Sequence, residues 1–470
     1  MADANFDIVI VGAGIAGCTL ARALARQGRR ILILERSLEQ PDRISGELLQ
    51  PGGVCGLKDL GLEDCLEGIE ATPVKGFHLY WKHEQATFWF CSPAIANGSE
   101  VETGRSFHHG RLVANLRSAI REDPTVTLIE ATACEILRDD PTGRVIGIKC
   151  SKGNGDLVQK YFGDLVVLAD GRYSNFRSQF SPYKPKANSR FWGLELLDAQ
   201  LPLRDYAHSV LGSGPPLLLY QLGNRETRIL IDIFNRDFAH LGDQSAVKSY
   251  ILERVLPTLP AEIQDNLRVA VNNGRLRSMA NSWMPARRTR VSGLVMLGDC
   301  ANMRHPMTGS GMTVAIKDAI LLADLLRVDI VPDLRDSALV LKQLEAFHWK
   351  RKRHSATLNI LAHCLYHLFA SEVLVKSLEI MQRGFIQFIQ GGPKNFAQPV
   401  ALMGGIIEKP FLLFYYFFRI AIFSISTHLR SARILDFPLA RGPALLGDSP
   451  QVYQGLKLHF NLDLVIKLRF

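Results

Sequence analysis

The chain opens on an apolar run, Ile8-Val-Ile-Val11, that stops at three glycines, Gly12, Gly14 and Gly17. The spacing then turns helical from Cys18 to Arg26, with Leu20, Ala21, Ala23 and Leu24 on the helix. A second apolar run from Arg30 ends in Glu35, 18 residues beyond Gly17. Strand, G-x-G-x-x-G, helix, strand and acid make up a dinucleotide-binding unit. The first glycine permits the turn, the second lets a pyrophosphate approach the backbone, and the third lets helix and strand pack. The first N–H groups of the helix favour the phosphate charge, and Glu35 is placed for ribose hydroxyls. This unit alone does not choose between FAD and NAD.

Two more buried runs end the same way. Asp164-Leu-Val-Val-Leu-Ala-Asp170 precedes Gly171, and Gly293-Leu-Val-Met-Leu-Gly-Asp299 precedes Gly309-Ser-Gly311 and a helix over Thr313–Leu326. Three strands ending in Glu35, Asp170 and Asp299 predict an α/β fold. Its Rossmann-like, glutathione-reductase-type sheet is assembled from the discontinuous segments 1–72, 101–185 and 286–335. Val126–Ala133 and Val145–Cys150 read as further strands.

Between these segments the period shortens to two. Pro73–Ser99 carries Phe77, Tyr80, Trp81, Phe88, Trp89 and Phe90, and Leu217–Gln221 and Thr227–Asp232 alternate within Arg190–Ile233. These predict a second, mixed sheet from 73–100 and 186–285. One of its faces either meets an apolar ligand or is ordinary core. Pro41–Gly53 holds too many prolines and glycines for a long helix. It reads as a loop whose Arg43 and Glu47 pass over a bound cofactor. Leu57–Leu66 and Ser249–Leu256 read as short helices.

The last region, 336–470, is helical. Trp349-Lys-Arg-Lys-Arg-His354 reads as one solvated or lipid-facing turn, followed by helices over Leu358–Leu368 and Leu374–Ile389. Pro410 starts an apolar stretch, Phe411–Phe418, that Arg419 interrupts before Ile420–Ile425 resumes it. Its apolar length falls short of the ~20 residues of a spanning helix. With apolar residues on every face and basic flanks, it predicts a monotopic membrane helix with Arg419 reaching the headgroups. A core helix is the alternative.

Composition narrows the partners. Of 470 residues 47% are hydrophobic and 21% charged, and 55 Lys and Arg against 46 Asp and Glu give +9. No basic arm with interleaved aromatics is present, so nucleic acid is excluded and an anionic lipid surface is the better partner. Eight scattered cysteines without C-x-x-C pairs point to reduced thiols facing the cytosol. Met1–Phe6 is too short and polar for a signal peptide, and the Asn97-Gly-Ser sequon carries no meaning in that setting. His108 and His109 lack partners at ligand spacing, so no metal is expected.

Several of these segments together resemble squalene epoxidases, a family of FAD-dependent monooxygenases. They are Pro41–Gly53, Arg105-Ser-Phe-His-His-Gly-Arg111 with its helix arginine Arg117, the Asp170-Gly171 motif, and above all Gly293–Met312 with Asn302-Met-Arg-His-Pro306. The likeness runs from about Asp7 to about Ile422. It implies FAD as cofactor, held by Gly12, Gly14, Ile15, Ala16, Gly17, Glu35, Arg36, Arg43, Leu48, Arg117, Ala133, Asp170, Asp299 and Met312. It also implies epoxidation of squalene to 2,3-oxidosqualene through a flavin C4a-hydroperoxide. Electrons would come from an NADPH-dependent reductase, and the enzyme would sit on the cytosolic side of the endoplasmic reticulum (microsomal) membrane. Gln50, Tyr220 and the Phe77 position are its candidate catalytic residues. The chain departs from the family at Phe77, where tyrosine is usual, at Cys300 for alanine and at Ser310 for glycine. Phe77 cannot make the family's bond to the Gln50 region. Three alternatives stay open: a paralogue acting on another polyene or terpenoid, an aromatic-type flavin hydroxylase, and a lipid-binding paralogue without turnover.

Overall fold

The computed structural model describes residues 6–91, 103–152, 157–212, 214–237, 243–370 and 376–431. The Asn97 sequon and everything after Ser431 lie outside them. Val126–Glu130, Ile31–Glu35, Phe6–Val11 and Leu157–Leu168 are neighbours in one sheet, all parallel, and Leu294–Met296 pairs in parallel with Leu157–Leu168. The register aligns Val11 with both Leu34 and Leu168, and Leu168 with Met296, so these strands end at one level. Gly12, Glu35, Asp170 and Asp299 therefore converge on one carboxyl edge, as their spacing predicts. Leu157–Leu168 begins earlier than expected because its first half pairs antiparallel with Val145–Lys152, which in turn pairs with Thr132–Arg138. Ile8, Ile10, Leu20, Leu24, Ile316 and Ala319 share one core, which seats the helices Ile15–Ala25 and Gly311–Leu325 on the sheet.

The second sheet has the order Arg277–Trp283, Lys186–Leu197, Glu226–Phe234, Leu217–Gln221, Tyr206–Leu211, Gly76–Trp81, Glu84–Trp89. Only Tyr206–Leu211 and Gly76–Trp81 pair in parallel, so the sheet is mixed. Alternation sends Trp192, Leu194 and Leu196 to a core shared with Val247, Ile263 and Leu267. Phe191, Phe77 and Tyr220 go to the other face, against the C-terminal helices. Leu48–Leu49, Gly104–Ser106 and Thr72–Val74 form a small sheet between the two large ones.

Four expectations need correcting. The glycine-rich stretch does not exclude a helix at its end: Pro51–Asp59 is helical, with Pro51 in the first turn. Gly52 there lies so close to the Gly404–Gly405 turn that a Cβ would sit 2.2 Å from the Gly405 carbonyl oxygen. Leu57–Asp59 is only the last turn of that helix, and Glu63–Leu66 is a separate 3-10 turn. The basic run is not a solvated turn throughout, because Arg351 and His354 are buried against Asp318. The C-terminal helix runs through Arg419 as one element, as expected, but it is longer than its apolar run suggests, Pro410–Ser431. At 22 residues it is ~33 Å long, enough by length and composition to cross a membrane, which removes the argument from shortness. Its two faces differ instead. Leu413, Tyr416, Ala421 and Ser424 are buried, while Phe411, Tyr415, Phe418 and Ile422 are 86%, 55%, 51% and 66% exposed.

Candidate active site

Each glycine of the first turn has its own reason. Gly12 has φ +104°, and a Cβ there would lie 2.6 Å from the Ala169 carbonyl oxygen on the neighbouring strand. On Gly17 a Cβ would lie 1.9 Å from the Gly12 carbonyl oxygen, so helix and strand need that glycine to pack. Gly14 differs: a Cβ there would meet nothing within 4 Å. No protein contact demands a glycine at 14, and the space above it opens onto the uncapped start of Ile15–Ala25. A phosphate approaching that N-terminus is what a side chain would obstruct.

Around this turn the predicted residues assemble. Glu35 accepts the Ala13 N–H at 2.8 Å. Arg117 lies behind the turn, donating to the Ala13 carbonyl at 2.9 Å and to that of Glu39 at 3.1 Å, and its guanidinium is 3.4 Å from Glu35. Ala16 abuts Gly298, where a Cβ would lie 2.9 Å away, so the first turn touches the Gly298-Asp299 corner. Asp299 is exposed at that corner. Ala131 donates to the Glu35 carbonyl at 2.8 Å, and half-buried Ala133 follows two residues later, at the start of the strand Thr132–Arg138. Arg36 and Arg43 are exposed at the rim, and Ile15 and Ala16 are buried in the turn. Asp170 has a buried Oδ1 without a hydrogen-bond partner among the described residues, and burial raises its pKa. Arg177 clamps the corner, donating to the carbonyls of Cys300 and Gly171 at 2.9 and 2.8 Å.

The second motif continues the same edge. Gly309, at φ +62°, turns the chain into Gly311–Leu325, whose start Ser310 does not cap. A Cβ on Gly309 would lie 2.8 Å from Leu48, and Gln50 donates to the Thr308 carbonyl at 2.5 Å, so the 43–50 loop and this motif meet. Met312 is buried in the first helical turn. The residues fit a dinucleotide with a flavin: two open helix starts, a ribose acid at each of two strand ends, and a glycine that only a ligand explains.

Beyond Thr308 the character changes. An apolar cavity of about 1320 Å³ of empty volume, partly open to solvent, runs from Met307 and Thr308 along Phe77, Phe88 and Leu218 to the C-terminal helices. Leu413, Tyr416, Phe417 and Ile420 of Pro410–Ser431 close one side, and among the described residues no charged one lines it. Phe77 stacks on Phe88 with centroids 5.4 Å apart and meets Phe90 edge-on. Gln50 is fully buried, and its Oε1 has no partner among the described residues. The Tyr220 hydroxyl donates to Glu47 at 3.1 Å, and Arg228 pairs with both Glu47 oxygens at 2.9 and 3.0 Å. Burial raises the Glu47 pKa, with Arg228 opposing it. His109 bonds the Gly46 carbonyl at 3.0 Å and so holds the loop, while His108 contacts Glu226 of the second sheet at 2.5 Å.

Sequence reasoning missed the ion cluster behind the second motif. Arg351 pairs with both oxygens of Asp318 at 3.0 and 2.6 Å, and His354 lies 2.8 Å from the first. Burial opposes the charge, yet Arg351 and His354 hold the Asp318 carboxyl down at about 2. Burial lowers Arg304 to about 10. Asp318 sits among the buried apolar residues Ala315, Ile316, Ala319 and Leu322 of its helix, and that is the signal the sequence offered.

Comparison with known proteins agrees with this geometry. A family model described as squalene epoxidase matches residues 162–441, and one described as FAD dependent oxidoreductase matches residues 7–48. Squalene epoxidase erg1 of Aspergillus fumigatus is 46% identical, covering 92% of this chain and 89% of its own. Squalene monooxygenase of Mus musculus is 35% identical, covering 97% of this chain and 77% of its own. Among solved structures, p-nitrophenol 4-monooxygenase PnpA from Pseudomonas putida aligns with TM-score 0.69 at 16% identity, over 85% of this chain and 99% of that one. PqsL from Pseudomonas aeruginosa aligns with TM-score 0.64 at 20% identity, over 83% and 100%. The two structures share the fold; the sequence matches go further, and by them the chain belongs to the squalene epoxidase family.

Proposed function

We propose that the chain is an FAD-dependent monooxygenase that epoxidises squalene to 2,3-oxidosqualene in sterol or triterpenoid synthesis. The observation that carries this reading is the shared wall: Met307 and Thr308 bound the charge-free cavity and also lead into the helix start of the cofactor edge. Bound FAD supplies oxygen activation, with one atom of O2 going to the alkene and the other leaving as water, on electrons from NADPH through a separate reductase. Segments 1–72, 101–185 and 286–335 act as the cofactor domain, 73–100 and 186–285 as the substrate domain, and 336–470 as the membrane-associated region.

Gly12, Gly14, Ile15, Ala16 and Gly17 hold the pyrophosphate at the first helix start, Glu35 the ribose and Asp299 the ribityl chain. Arg36, Arg43, Leu48 and Ala133 line the rim, Arg117 braces the turn, and Asp170 offers its unpartnered oxygen. The Met312 turn stabilises negative charge on the reduced ring. Epoxidation asks for no strong protein acid or base. The cavity orients one double bond and keeps water away. Tyr220 contributes by fixing Glu47, and Gln50 by fixing Thr308.

Membrane docking follows from the helix faces. The stripe Phe411, Tyr415, Phe418 and Ile422 enters the acyl region while the opposite face stays on the cavity, so the helix lies along the interface without spanning it. Arg419 turns inward, donating to Asn395 at 3.1 Å over the Phe388 ring, and does not reach for headgroups. With this docking, our reading puts the enzyme on the cytosolic face of the endoplasmic reticulum, where an insoluble C30 hydrocarbon is available. A second reading, a paralogue for another polyene, draws on Phe77 in the cavity wall and on the Gln50 Oε1, which has no partner among the described residues. The test is turnover in detergent with FAD, NADPH and a reductase. The expected product from squalene is 2,3-oxidosqualene. Flavin-loaded protein that oxidises only another polyene supports the second reading, and an absence of bound flavin overturns both.

A further inference from the structure

The helix Lys352–Phe369 touches both halves of the site. Leu361, Leu365 and Leu368 line the apolar cavity. On an adjoining stripe, Asn359 accepts the Arg304 Nε–H at 2.6 Å and donates to the Asn302 side-chain oxygen at 3.0 Å. Tyr366 stacks on His305 at 4.0 Å between centroids and 25° between planes. Arg304, His305 and Asn302 belong to the segment that leads into Pro306–Thr308 and the cofactor-side helix.

That segment is held from several sides, and Asn359 and Tyr366 tie it to this helix. Arg304 also donates to the Gly311 carbonyl at 3.3 Å and to Asn302 through its carbonyl at 3.2 Å and its side chain at 2.9 Å, so one guanidinium closes the loop from 302 to 311. Asn302 donates to the Met284 carbonyl at 2.8 Å. His305 Nδ1 accepts the Met307 N–H at 3.2 Å, which leaves Nε2 to carry the proton, 3.4 Å from the buried Asp232 carboxylate. The Arg351–Asp318 pair fixes the start of the same helix to Gly311–Leu325. A shift of the helix on filling the cavity thus reaches the loop through Asn359 and Tyr366.

We propose that Asn359 is a positioning residue that carries occupancy of the apolar cavity to the cofactor loop, through Arg304 and Asn302. The inference rests on the FAD and apolar-substrate reading above. Its readout is spectroscopic and needs no turnover: the visible absorption of bound FAD on adding squalane, the saturated C30 analogue, which fills the cavity without reacting. The wild-type holoprotein should give a difference spectrum that saturates with squalane.

Asn359→Leu removes both bonds and should reduce that difference spectrum by ~5-fold or more, the low end of ordinary site-to-site coupling, while FAD and squalane affinities stay unchanged. Asn359→Asp keeps the acceptor for Arg304 and should restore part of the signal; it also serves as the test if the leucine variant does not fold. Two results overturn the inference: a full difference spectrum in Asn359→Leu, or a loss explained by weaker FAD or squalane binding, which marks a merely structural role. A wild-type protein that binds FAD and squalane without any difference spectrum sinks this inference alone. A failure to bind FAD or squalane sinks the functional reading beneath it.

Discussion

The carboxyl edge of the parallel sheet and the apolar cavity beside it are built on opposite rules. The edge works through backbone: glycines set the turns, two uncapped helices aim their N–H groups, and three acids stand at strand ends. Short stretches of chain suffice for each part. The cavity works through side chains alone, brought together from the second sheet, the 306–308 turn and the C-terminal helices. No stretch of it looks unusual by itself. Polar recognition here is local in sequence, whereas apolar recognition is a property of the assembled fold.

The largest expected effect comes from the cluster that ties the two regions together. Asp318→Asn leaves Arg351 buried without its charge partner and should destabilise the protein by ~3–5 kcal/mol in thermal or denaturant unfolding. The same carboxylate sets an acid limit. Because its folded pKa is depressed to about 2, its contribution is complete above the ordinary carboxylate range and is lost as pH falls toward about 2. A variant with wild-type stability and acid sensitivity would make the two regions independent.

Next, two glycines separate folding from binding. Gly17→Ala forces a Cβ into the Gly12 carbonyl and should cost ~1–3 kcal/mol or more of stability. Gly14→Ala meets no protein atom, so its melting temperature without cofactor should stay near wild type while FAD affinity falls by ~10-fold or more, about the worth of one hydrogen bond to a charged group. Equal effects from both would mean that Gly14 is there for the fold.

What the sequence made legible follows the same division. Gly12–Gly17, Glu35, Asp170 and Asp299 could be read because their chemistry depends on neighbours within a few residues. The strands of the second sheet were readable from alternation. The helix at Pro51 is not legible locally because Gly52 serves a close contact with Gly404–Gly405, more than 350 residues away. Arg351 and His354 were misread for the same reason, as a run of charges does not announce that one distant aspartate will bury two of them. The inward turn of Arg419 depends on Asn395 and Phe388, and no local rule supplies those partners.

A crossed pair of variants sharpens the contrast further. Asp299→Ala should weaken FAD binding by ~1–3 kcal/mol and leave squalane binding alone. Met381→Trp, which fills part of the cavity, should lower kcat/KM for squalene by a similar ~1–3 kcal/mol and leave FAD affinity alone. The smallest effect belongs to Phe77→Tyr. A hydroxyl reaching the unpartnered Gln50 oxygen should add ~0.5–1.5 kcal/mol of stability and raise squalene turnover. Unchanged or lower turnover would favour a different polyene.

The most direct test is a structure of the protein with FAD and squalane bound together. The isoalloxazine should lie at Thr308–Met312 with the pyrophosphate over Gly14, and one end of the hydrocarbon should reach Met307, Thr308 and Phe77 while its length follows the cavity toward Leu413 and Ile420. Hydrocarbon density elsewhere, or a flavin whose ring does not border the cavity, would contradict the shared wall on which the account stands.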